Sequence, residues 1–419
     1  MNVCIVGSGA REHALALACA RTTDVVVTPG NPGIEGRSPQ GNLVRSTVAA
    51  PEEIEADLFV IGPEAPLVDG LADRLRDRGR LVFGPGAEGA RLEGSKAYMK
   101  ELVAAAGVPT ARFAVFDRTD DALAHLRSSA GPYVVKTDGL AAGKGVLVTE
   151  DLARAEKDVA AKLSGAAFGD AGRRVVIEEA LLGREASLLA VCDGERALAL
   201  PVARDYKRAL DGDLGPNTGG MGACSPVPFV SDTDLDAAMA RIVLPTLAEL
   251  RRRGIDYRGV LYAGLMLGDD GPQLVEFNVR FGDPEAEVVL PRLEGDFAGL
   301  LAAAAGGLVP EKIERAPNAA VCVVAAAQGY PGGPRRGDPI GGLDAAGRIE
   351  GVTVLHAGTR RGPDGVLRTD GGRVLAITAV ASTIDAARER AYEAVGAIRI
   401  DGVQYRRDIA APDGARSSP

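Results

Sequence analysis

Continuous apolar runs alternate with stretches of helical spacing over the first hundred residues. The apolar runs predict buried strands over 3–6, 25–27, 58–61 and 81–83. Apolar residues that recur every three or four positions predict helices over 12–20, 67–78 and 91–106. Strands that alternate with helices are typical of a parallel sheet with helices on both faces. We therefore predict a doubly wound α/β domain over 1–103.

A second unit begins after Gly107 and Pro109, which predict the end of a helix. It is predicted to contain a helix over 120–128 and strands over 133–136, 146–148, 175–177 and 187–191. The strands surround a Gly-rich loop, and this arrangement predicts a small inserted lid over 120–186. The whole central α+β domain is predicted over 104–318.

The last predicted unit is another α+β domain, over 319–409. It is predicted from apolar strands over 321–326 and 374–380 and from a helix over 384–395. The residues of 410–419 are small and polar, and we expect them to be disordered.

The charge and the apolar runs disfavour several classes of partner. The 419 residues include 46% apolar and 25% charged residues, and the formal net charge of −9 disfavours binding to nucleic acid or anionic lipid. The longest apolar stretch, 319–327, is far shorter than the ~20 residues that span a bilayer. No basic segment precedes the first apolar run, so no secretory signal is predicted. We therefore expect a cytoplasmic protein that acts on small molecules.

Cysteine and histidine are too few and too scattered for several kinds of site. The five cysteines form no C-x-x-C pair, so neither a disulfide framework nor a structural zinc site is predicted. Three histidines are too few for an imidazole-rich metal site and disfavour Ser-His-Asp chemistry. Lysine accounts for only eight of 48 cationic side chains. Four of these lysines lie beside Gly-rich or polar motifs: Lys96, Lys136, Lys144 and Lys207.

The motif around Gly7 and Gly9 lies between a predicted strand and the helix that follows it. Backbone N–H groups at such a helix N-terminus bind phosphate. A dinucleotide site is disfavoured, because Glu12 stands at the third glycine position and no acidic residue ends the second strand. We predict one phosphate held by Gly7, Gly9 and Arg11, with a simple tight turn as the alternative. Glu64, which follows another strand, is predicted to bind sugar hydroxyls, with an ordinary loop carboxylate as the alternative.

A long loop of small residues runs from Lys136 to Lys144. Its glycines, which include Gly143 and Gly145 just beyond, let backbone amides approach an anion. A hairpin turn needs only about two to five residues, so polyphosphate binding explains this loop better than a structural turn. The loop is not a Walker A motif, because no Gly-Lys-Ser/Thr opens a helix.

Hydrogen-bond acceptors follow the predicted strand over 175–177. A backbone edge there suits the amino group of adenine. The residues of this edge are Glu178, Glu179, Ala180 and Leu181. Glu185, a few residues further on, suits ribose hydroxyls. Each of these signals is weak alone.

The strongest local chemistry lies on a predicted strand near residue 276. With a period of two, Glu276, Asn278 and Arg280 share one face, while Val275 and Phe277 pack behind. Two oxygen ligands and a cation suit Mg²⁺, or alternatively Mn²⁺, on triphosphate oxygens, with the arginine facing developing negative charge. The alternative is a solvated strand face, which usually carries Lys, Thr or Ser rather than Asn beside Glu.

Two further polar segments complete the candidate substrate site. Asp205 and Lys207 belong to a charged cluster. The substrate-binding candidates in the loops that follow are Asn217, Thr218, Gly219, Gly282 and Asp283. A surface Ω-loop is the alternative for both segments, over 205–208 and 215–222.

Six motifs, in this order and spacing, closely resemble the phosphoribosylamine-glycine ligase family of the ATP-grasp superfamily. They are G-x-G-x-R-E-H at 7–13, G-P-E-A-P-L at 62–67, L-E-G-S-K at 92–96, K-x-D-G-L-A-A-G-K-G-V at 136–146, G-P-N-T-G-G-M-G at 215–222 and R-F-G-D-P-E at 280–285. Any one of them could arise by chance, but six in order could not. The resemblance covers nearly the whole chain.

The resemblance implies an N-terminal sheet domain, a central ATP-grasp body with a mobile lid, and a C-terminal domain. It also implies that ATP, as co-substrate, lies between two antiparallel sheets. The implied contacts are Lys96, Lys136 and 143–145 for the phosphates, 178–181 for the adenine, Glu185 for the ribose, and Glu276 and Asn278 for magnesium.

The family's reaction joins glycine to 5-phosphoribosylamine in de novo purine biosynthesis. The glycine carboxylate attacks the γ-phosphate of ATP to give glycyl phosphate, and the amine then displaces phosphate to give glycinamide ribonucleotide. No covalent enzyme intermediate is needed, so positioning and charge neutralisation do most of the work. We take Arg280, Lys144 and Asp205 as catalytic candidates and assign Gly9 and Arg11 to the phosphate of phosphoribosylamine.

Two positions depart from the family pattern. Tyr206 stands where His is usual, and Glu287 stands where Gln or Met is usual. Neither change removes a proposed metal or phosphate ligand, so we expect effects on substrate affinity rather than on reaction class. The alternatives left open are another ATP-grasp carboxylate-amine ligase or carboxylase, and a nucleotide-binding regulator. We expect a monomer or a dimer, with transient contact to neighbouring purine-pathway enzymes.

Overall fold

The N-terminal sheet has six strands and is almost entirely parallel. The structure is a computed structural model and describes residues 1–141, 145–165, 167 and 169–412. In spatial order the strands are Gly36–Arg37, Leu43–Ser46, Asp24–Pro29, Asn2–Gly7, Leu58–Ile61 and Val82–Phe83. Every neighbouring pair is parallel except the first. The predicted sheet is confirmed, with two additional strands at one edge, Gly36–Arg37 and Leu43–Ser46, neither of which carries a continuous buried apolar run.

Helices cover both faces of this sheet. Their bounds are Ala10–Cys19, Glu64–Val68, Leu71–Asp77, Ala87–Gly94 and Lys96–Ala105, with a 3-10 turn at Pro51–Glu53. Each of the two longest predicted helices is divided. Gly70, with a φ of +76°, separates the first pair. Ser95 is extended and its Oγ accepts from the Tyr98 N–H at 3.1 Å, so Lys96 begins the last helix.

The lid region contains an antiparallel sheet of four strands. Their spatial order is Phe113–Phe116, Val175–Glu179, Tyr133–Thr137 and Val146–Thr149. Its helices are Thr119–Ser128 and Leu152–Leu163, with a 3-10 turn at Gly169–Gly172. Leu126, Val135 and Val159 belong to a small core that joins the helices to the sheet. The sequence patterns do not predict the second helix, which Asp151 caps.

A second antiparallel sheet lies in the central region. Its strands, in spatial order, are Ala197–Ala199, Arg184–Asp193, Arg258–Gly268 and Gly271–Asn278. The helices around it are Asp232–Ala238, Leu244–Arg252, Ala286–Val289 and Phe297–Ala305, with a π-helical turn at Met239–Val243 and a 3-10 turn at Leu290–Arg292. Two antiparallel sheets are therefore present, as the resemblance implies.

A β-bulge interrupts the last strand of the central sheet. Gly264 pairs with Glu276, but the next residue of its strand pairs with Leu274, so Val275 is an extra residue. Leu274 is consequently buried, whereas Val275, which we predicted to pack behind the strand, is only half-buried. Glu276 and Asn278 lie beyond the bulge and share one face of the strand.

The C-terminal sheet has five antiparallel strands. In spatial order they are Arg204–Asp205, Gly222–Ser225, Ala319–Ala326, Arg373–Ala381 and Val352–His356. Two hairpins, two helices and a 3-10 turn accompany it: Arg208–Leu210 with Leu214–Asn217, Thr359–Arg361 with Leu367–Thr369, Leu343–Gly347, Ile384–Ala397 and Asp211–Asp213. Asp205 is therefore attached to this sheet. Ala410 is buried and donates its N–H to Tyr206 Oη at 3.0 Å, and the predicted disordered tail lies outside the described residues from 413 onward.

The N-terminal and central sheets share two apolar cores. Val3 and Val260 belong to one core, and Phe59 and Leu261 belong to the other. This shared packing fixes the ends of the two sheets relative to each other. All five cysteines are buried and free, as their scatter in the sequence predicts.

Candidate active site

Two lysines connect the lid to its neighbours, Lys96 to the helix Lys96–Ala105 and Lys136 to the central sheet. Lys96 Nζ donates to the carbonyl of Gly139 at 3.3 Å. Lys136 Nζ donates to the carbonyl of Val275, the bulged residue, at 3.2 Å. The bulge therefore brings Lys136 next to the strand that contains Glu276 and Asn278.

Arg280 lies at the junction of three sequence motifs. Its Nη2 donates to Glu93 Oε1 at 2.9 Å and to Asn278 Oδ1 at 3.1 Å, and its Nε donates to Glu64 Oε2 at 3.3 Å. Burial lowers the pKa of Arg280, but Glu93 and Glu64 raise this pKa by more, to well above its ordinary value. The guanidinium is thus a permanent positive charge held beside the predicted metal strand.

Asp283 also lies where distant segments of the chain meet. Arg373 Nη1 lies 3.0 Å from Asp283 Oδ1, and it donates to the carbonyls of Asp283 at 2.8 Å and Gly219 at 2.6 Å. A Cβ on Gly9 would lie 3.6 Å from Asp283 Oδ2. Gly220, at a φ of +113°, fits closely against the loop that contains Asp283. Segments from all three parts of the chain therefore converge here.

Glu276 is surrounded by positive charge. Burial raises the pKa of Glu276, but Lys207, Lys136 and Lys96 lower it by more, so the carboxyl is ionised at neutral pH. Burial lowers the pKa of Lys96 in turn, against the opposing effect of Glu276. Three ammonium groups near one carboxylate make this part of the site suited to phosphate groups.

Glu178 lies between two lysines. Its Oε2 is 2.9 Å from Lys100 Nζ, and its Oε1 is 2.9 Å from Lys136 Nζ. The Lys136 ammonium is close to Oε1 without being aligned to donate to it, so Oε1 makes no hydrogen bond with any described residue. Burial lowers the pKa of Lys100 to about 8, although Glu178 opposes this shift.

Asp205 and Lys207 sit among acidic neighbours. Lys207 Nζ lies 2.8 Å from Glu185 Oε2. Burial lowers the pKa of Lys207, but Glu185 and other neighbours raise it by more. Burial, and then Glu285, raise the pKa of Asp205 well above its ordinary value, and its Oδ1 has no hydrogen-bond partner in the described part of the chain. Asp205 is therefore suited to carry a proton.

Glu276 and Asn278 fit a magnesium ion as a pair of oxygen ligands. Mg²⁺ is commonly bound by about one or two protein carboxylates together with substrate phosphates. Glu276 supplies an ionised carboxylate, and Asn278 supplies an amide oxygen on the same face of the strand. Among the described residues, no group of three or more His, Cys, Asp and Glu side chains is arranged to hold a metal.

Three family models match the chain one after another. The phosphoribosylglycinamide synthetase N domain matches residues 1–93, its ATP-grasp (A) domain matches 94–286, and its C domain matches 320–412. The chain belongs to the phosphoribosylglycinamide synthetase family. This match confirms the family and the fold class that the six motifs indicate.

Relatives of the synthetase family cover nearly the whole chain. The phosphoribosylamine–glycine ligase of Streptomyces coelicolor is 49% identical over 98% of this chain and 99% of its own. The ligase of Escherichia coli O157:H7 is 44% identical over 98% of this chain and 98% of its own. The crystal structure of the Thermotoga maritima ligase is 37% identical and superposes with a TM-score of 0.85, covering 98% of this chain and 100% of that one.

A more distant structure shares the fold alone. The biotin carboxylase domain of Hydrogenobacter thermophilus 2-oxoglutarate carboxylase is 16% identical, with a TM-score of 0.68 over 96% of this chain and 91% of that one.

Among the described residues, no helix is both long enough and apolar enough to cross a bilayer.

The glycines of the first synthetase motifs make room for a carboxylate. A Cβ on Gly7 would lie 2.5 Å from Glu12 Cδ, and a Cβ on Gly62 would lie 2.0 Å from Glu12 Oε1. Glu12 Oε2 accepts from the Gly9 N–H at 2.6 Å, and Glu12 Oε1 accepts from Arg11 Nε at 2.6 Å. Arg11 is buried and also donates to the Phe281 carbonyl at 3.2 Å. The first turn of this helix thus already holds a negative charge, and the phosphate assignment of Gly7, Gly9 and Arg11 stays a prediction.

The other predicted residues have varied surroundings. Gly143 and Lys144 lie outside the described residues, whereas the Gly145 carbonyl accepts from the Thr137 N–H at 2.8 Å. Glu179 is exposed and pairs with Arg112, with Oε2 2.7 Å from Nε.

Beyond Glu179 the chain leaves the strand. Ala180 and Leu181 make no hydrogen bond to a described residue. Their backbone groups are therefore available to a ligand, as the adenine prediction requires.

The polar loop over 215–222 is held by its neighbours. Thr218 Oγ1 donates to the Lys207 carbonyl at 2.8 Å, and the Gly219 N–H donates to Tyr330 Oη at 3.0 Å. Asn217 ends one strand of the hairpin and pairs with Arg208 on the other strand. Packing requires glycine at position 282, since a Cβ there would lie 2.2 Å from Glu285 Oε2.

Sequence reasoning missed three residues at these junctions. Lys100 follows Lys96 by four positions on one helix, and this spacing places both lysines on one face. Arg373 begins a strand directly after two glycines, a position from which a long side chain reaches a loop. Glu93 belongs to a quoted motif, but nothing in the sequence shows that it faces Arg280.

Proposed function

We propose that this chain ligates glycine to 5-phosphoribosylamine at the expense of ATP, giving glycinamide ribonucleotide, ADP and phosphate. The relatives that support this activity are named phosphoribosylamine–glycine ligase. The observation that carries the proposal is the set of three lysines around ionised Glu276, next to Arg280. Several cationic side chains around an ionised carboxylate suit ATP phosphates with a divalent cation.

ATP is proposed to lie between the lid sheet and the central sheet. Lys96 and Lys136 bind its phosphates, because both ammonium groups lie close to Glu276 at the edge where the sheets meet. Glu178 Oε1, which makes no hydrogen bond with a described residue but lies 2.9 Å from Lys136 Nζ, accepts from the adenine amino group, beside the backbone of residues 179–181. Glu185, held by Lys207, binds the ribose hydroxyls.

The metal ligands in this proposal are Glu276 and Asn278. The bound cation, Mg²⁺ or Mn²⁺, neutralises phosphate charge. The protein's part is to hold two oxygen ligands on one face of the strand, next to the positive charge of Arg280.

Phosphoribosylamine is proposed to bind beside the N-terminal sheet. Glu64 binds its ribose hydroxyls, and Gly9 and Arg11 lie at the helix N-terminus assigned to its phosphate. Support for the ribose assignment comes from Arg280, which holds Glu64 at 3.3 Å. The acceptor would then lie next to the site of glycine activation.

Catalysis is assigned to Arg280, Lys144 and Asp205. Arg280 and Lys144 neutralise negative charge that develops as the glycine carboxylate attacks the γ-phosphate. Asp205, with its raised pKa, accepts or supplies a proton at the amine during amide formation. The resulting mechanism needs no nucleophilic side chain.

The test is ADP release with glycine, freshly generated phosphoribosylamine and ATP, each omitted in turn. We expect ADP and glycinamide ribonucleotide in equal amounts only when all three are present. ADP release that depends on bicarbonate and not on glycine would favour a carboxylase instead. The cytoplasmic location, the monomeric or dimeric state and any contact with neighbouring pathway enzymes stay predictions.

A further inference from the structure

A fully buried lysine lies beneath the proposed nucleotide site. Lys100 is 0% exposed and lies one helical turn after Lys96. Its Nζ donates to Thr110 Oγ1 at 2.8 Å and lies 2.9 Å from Glu178 Oε2. Thr110 Oγ1 in turn donates to the Leu274 carbonyl at 2.7 Å, just before the bulge. Lys100 is thus fixed to the edge of the central sheet.

Glu178 links the position of the Lys100 side chain to that of Lys136. The carboxylate is held by Lys100 at one oxygen and faces Lys136 with the other, at 2.9 Å in each case. Both side chains of this second pair are almost fully buried, at 5% and 3% exposure, so solvent screens them little. Lys136 also reaches the Val275 carbonyl, one residue before Glu276. A chain of contacts therefore runs from Lys100 to the proposed phosphate and metal ligands.

Lys100 limits how tightly Glu178 holds Lys136. Glu178 is shared between Lys100 and Lys136, and Lys136 faces Glu276 as well. Without Lys100, both oxygens of Glu178 would be available to Lys136, and a tighter one-to-one buried pair would form. The Lys136 ammonium would then be drawn towards the strand of Glu178.

We propose that Lys100 is a positioning residue for ATP, which holds the Glu178 carboxylate at Oε2 so that Oε1 keeps Lys136 in place to bind phosphate. This inference rests on the proposed assignment of Lys136 and Glu178 to the nucleotide. Lys100 itself does not touch ATP.

The first test compares Lys100→Met with Lys162→Met. Lys162 is a matched control, because it is also buried, pairs with Asp158 and donates to the Val135 carbonyl at 3.3 Å, one residue from Lys136. We expect Lys100→Met to raise the ATP Kd and the KM for ATP roughly tenfold, with kcat and the KM for glycine within about threefold. Lys162→Met should lower the melting temperature and leave the ATP Kd in place. An unchanged ATP Kd in Lys100→Met would overturn the inference.

A double-mutant cycle shows whether Lys100 acts through Glu178. In the Glu178→Gln background, Lys100→Met should add little to the loss of ATP affinity, because the carboxylate that it holds is gone. Additive losses would contradict the inference. A Lys136→Met variant distinguishes an error in the phosphate assignment of Lys136 from an error in the role of Lys100. Unchanged ATP affinity in Lys136→Met refutes the phosphate assignment itself, whereas a loss there with none in Lys100→Met refutes only the role of Lys100.

A charge-retaining variant covers the case in which Lys100→Met does not fold. The charged groups that face Lys100 are Glu178 and Glu179 on one strand and Lys136 on the next. Since the pKa of Lys100 is lowered to about 8, the KM for ATP of the wild type should rise as the pH increases through that value. Lys100→Arg keeps its charge throughout and should lose this alkaline rise. Identical pH profiles in the two proteins would contradict the proposal.

Discussion

Arg373 and Asp283 form an ion pair between two distant parts of the chain, with Nη1 3.0 Å from Oδ1. Arg373 begins a strand of the C-terminal sheet, and Asp283 lies in the loop that follows the proposed metal strand. The same Nη1 also holds the Gly219 carbonyl at 2.6 Å. One arginine of the C-terminal sheet therefore holds both loops to which the substrates are assigned.

Replacing Arg373 with methionine should weaken substrate binding but not ATP binding. The change frees both loops, so we expect the KM for glycine and for phosphoribosylamine to rise roughly tenfold or more. The KM for ATP should stay within about twofold. Initial rates with each substrate varied in turn measure these changes. Arg335→Met is the control, since Arg335 pairs with Asp338 and is 41% exposed, and a rise confined to ATP would refute the prediction.

Gly62 should not tolerate even a methyl group. Its Cβ would lie 2.0 Å from Glu12 Oε1, and that carboxylate is already held by Gly9 and Arg11. We expect Gly62→Ala to lower the free energy of unfolding by about 1–3 kcal/mol, because the buried carboxylate has to move. Denaturant titration measures the change. Gly36→Ala is the control, since nothing lies within 4 Å of its added Cβ, and equal midpoints for the two variants would show that Glu12 is free to move.

Glu287 should make stability depend on pH in an unusual direction. It is fully buried, and neither carboxyl oxygen has a partner among the described residues. Burial, and then Asp283, raise its pKa well above the ordinary value. A raised folded-state pKa gives stability that is complete below the unfolded-state pKa and is lost as the pH rises towards the folded-state pKa.

Glu287→Gln removes this titration. The variant should therefore gain stability relative to the wild type as the pH rises above the ordinary glutamate pKa, by as much as ~1.4 kcal/mol per pH unit. Thermal unfolding at several pH values tests this, with the exposed Glu389→Gln as control. A difference between Glu287→Gln and the wild type that does not change with pH would mean that Glu287 is ionised throughout.

Glu276→Gln should nearly abolish turnover while the chain still folds. The change removes the only charged member of the proposed metal pair and leaves Lys96, Lys136 and Lys207 without their shared carboxylate. We expect kcat to fall roughly a hundredfold or more. Initial rates over a range of magnesium concentrations measure this, with Glu101→Gln on an exposed helix face as control. Near-normal turnover at modest magnesium would mean that this strand face is structural.

Apolar runs predict most of the sheets because buried strands leave a continuous signal. The strand Leu58–Ile61 lies where the sequence places it. The strands Gly36–Arg37 and Leu43–Ser46 and the helix Leu152–Leu163 are missed, since the strands are short and largely outside the core and the helix is amphipathic with few large apolar residues. The division of the helix at Ser95 depends on one side-chain cap.

The sequence predicts only part of the site, because some of its contacts are local and others join distant positions. Period two identifies the shared face of Glu276 and Asn278, because that relationship is local. The contacts of Arg373 with Gly219 and Asp283 join positions 154 and 90 residues apart, respectively, and no local pattern predicts them. Likewise, the carboxylate of Glu12 fills the space beside Gly7, and this becomes visible only when the helix and strand are in place.

The most direct test of glycine activation follows oxygen atoms. If the glycine carboxylate attacks the γ-phosphate, one of its oxygens leaves with the phosphate when the amine displaces it. Turnover of glycine labelled with heavy oxygen in its carboxylate, together with ATP and fresh phosphoribosylamine, should be analysed by mass spectrometry of the released phosphate. The proposed function predicts one labelled oxygen in each phosphate formed. Phosphate released without label would show that ATP is spent on another group, and it would contradict the proposed reaction.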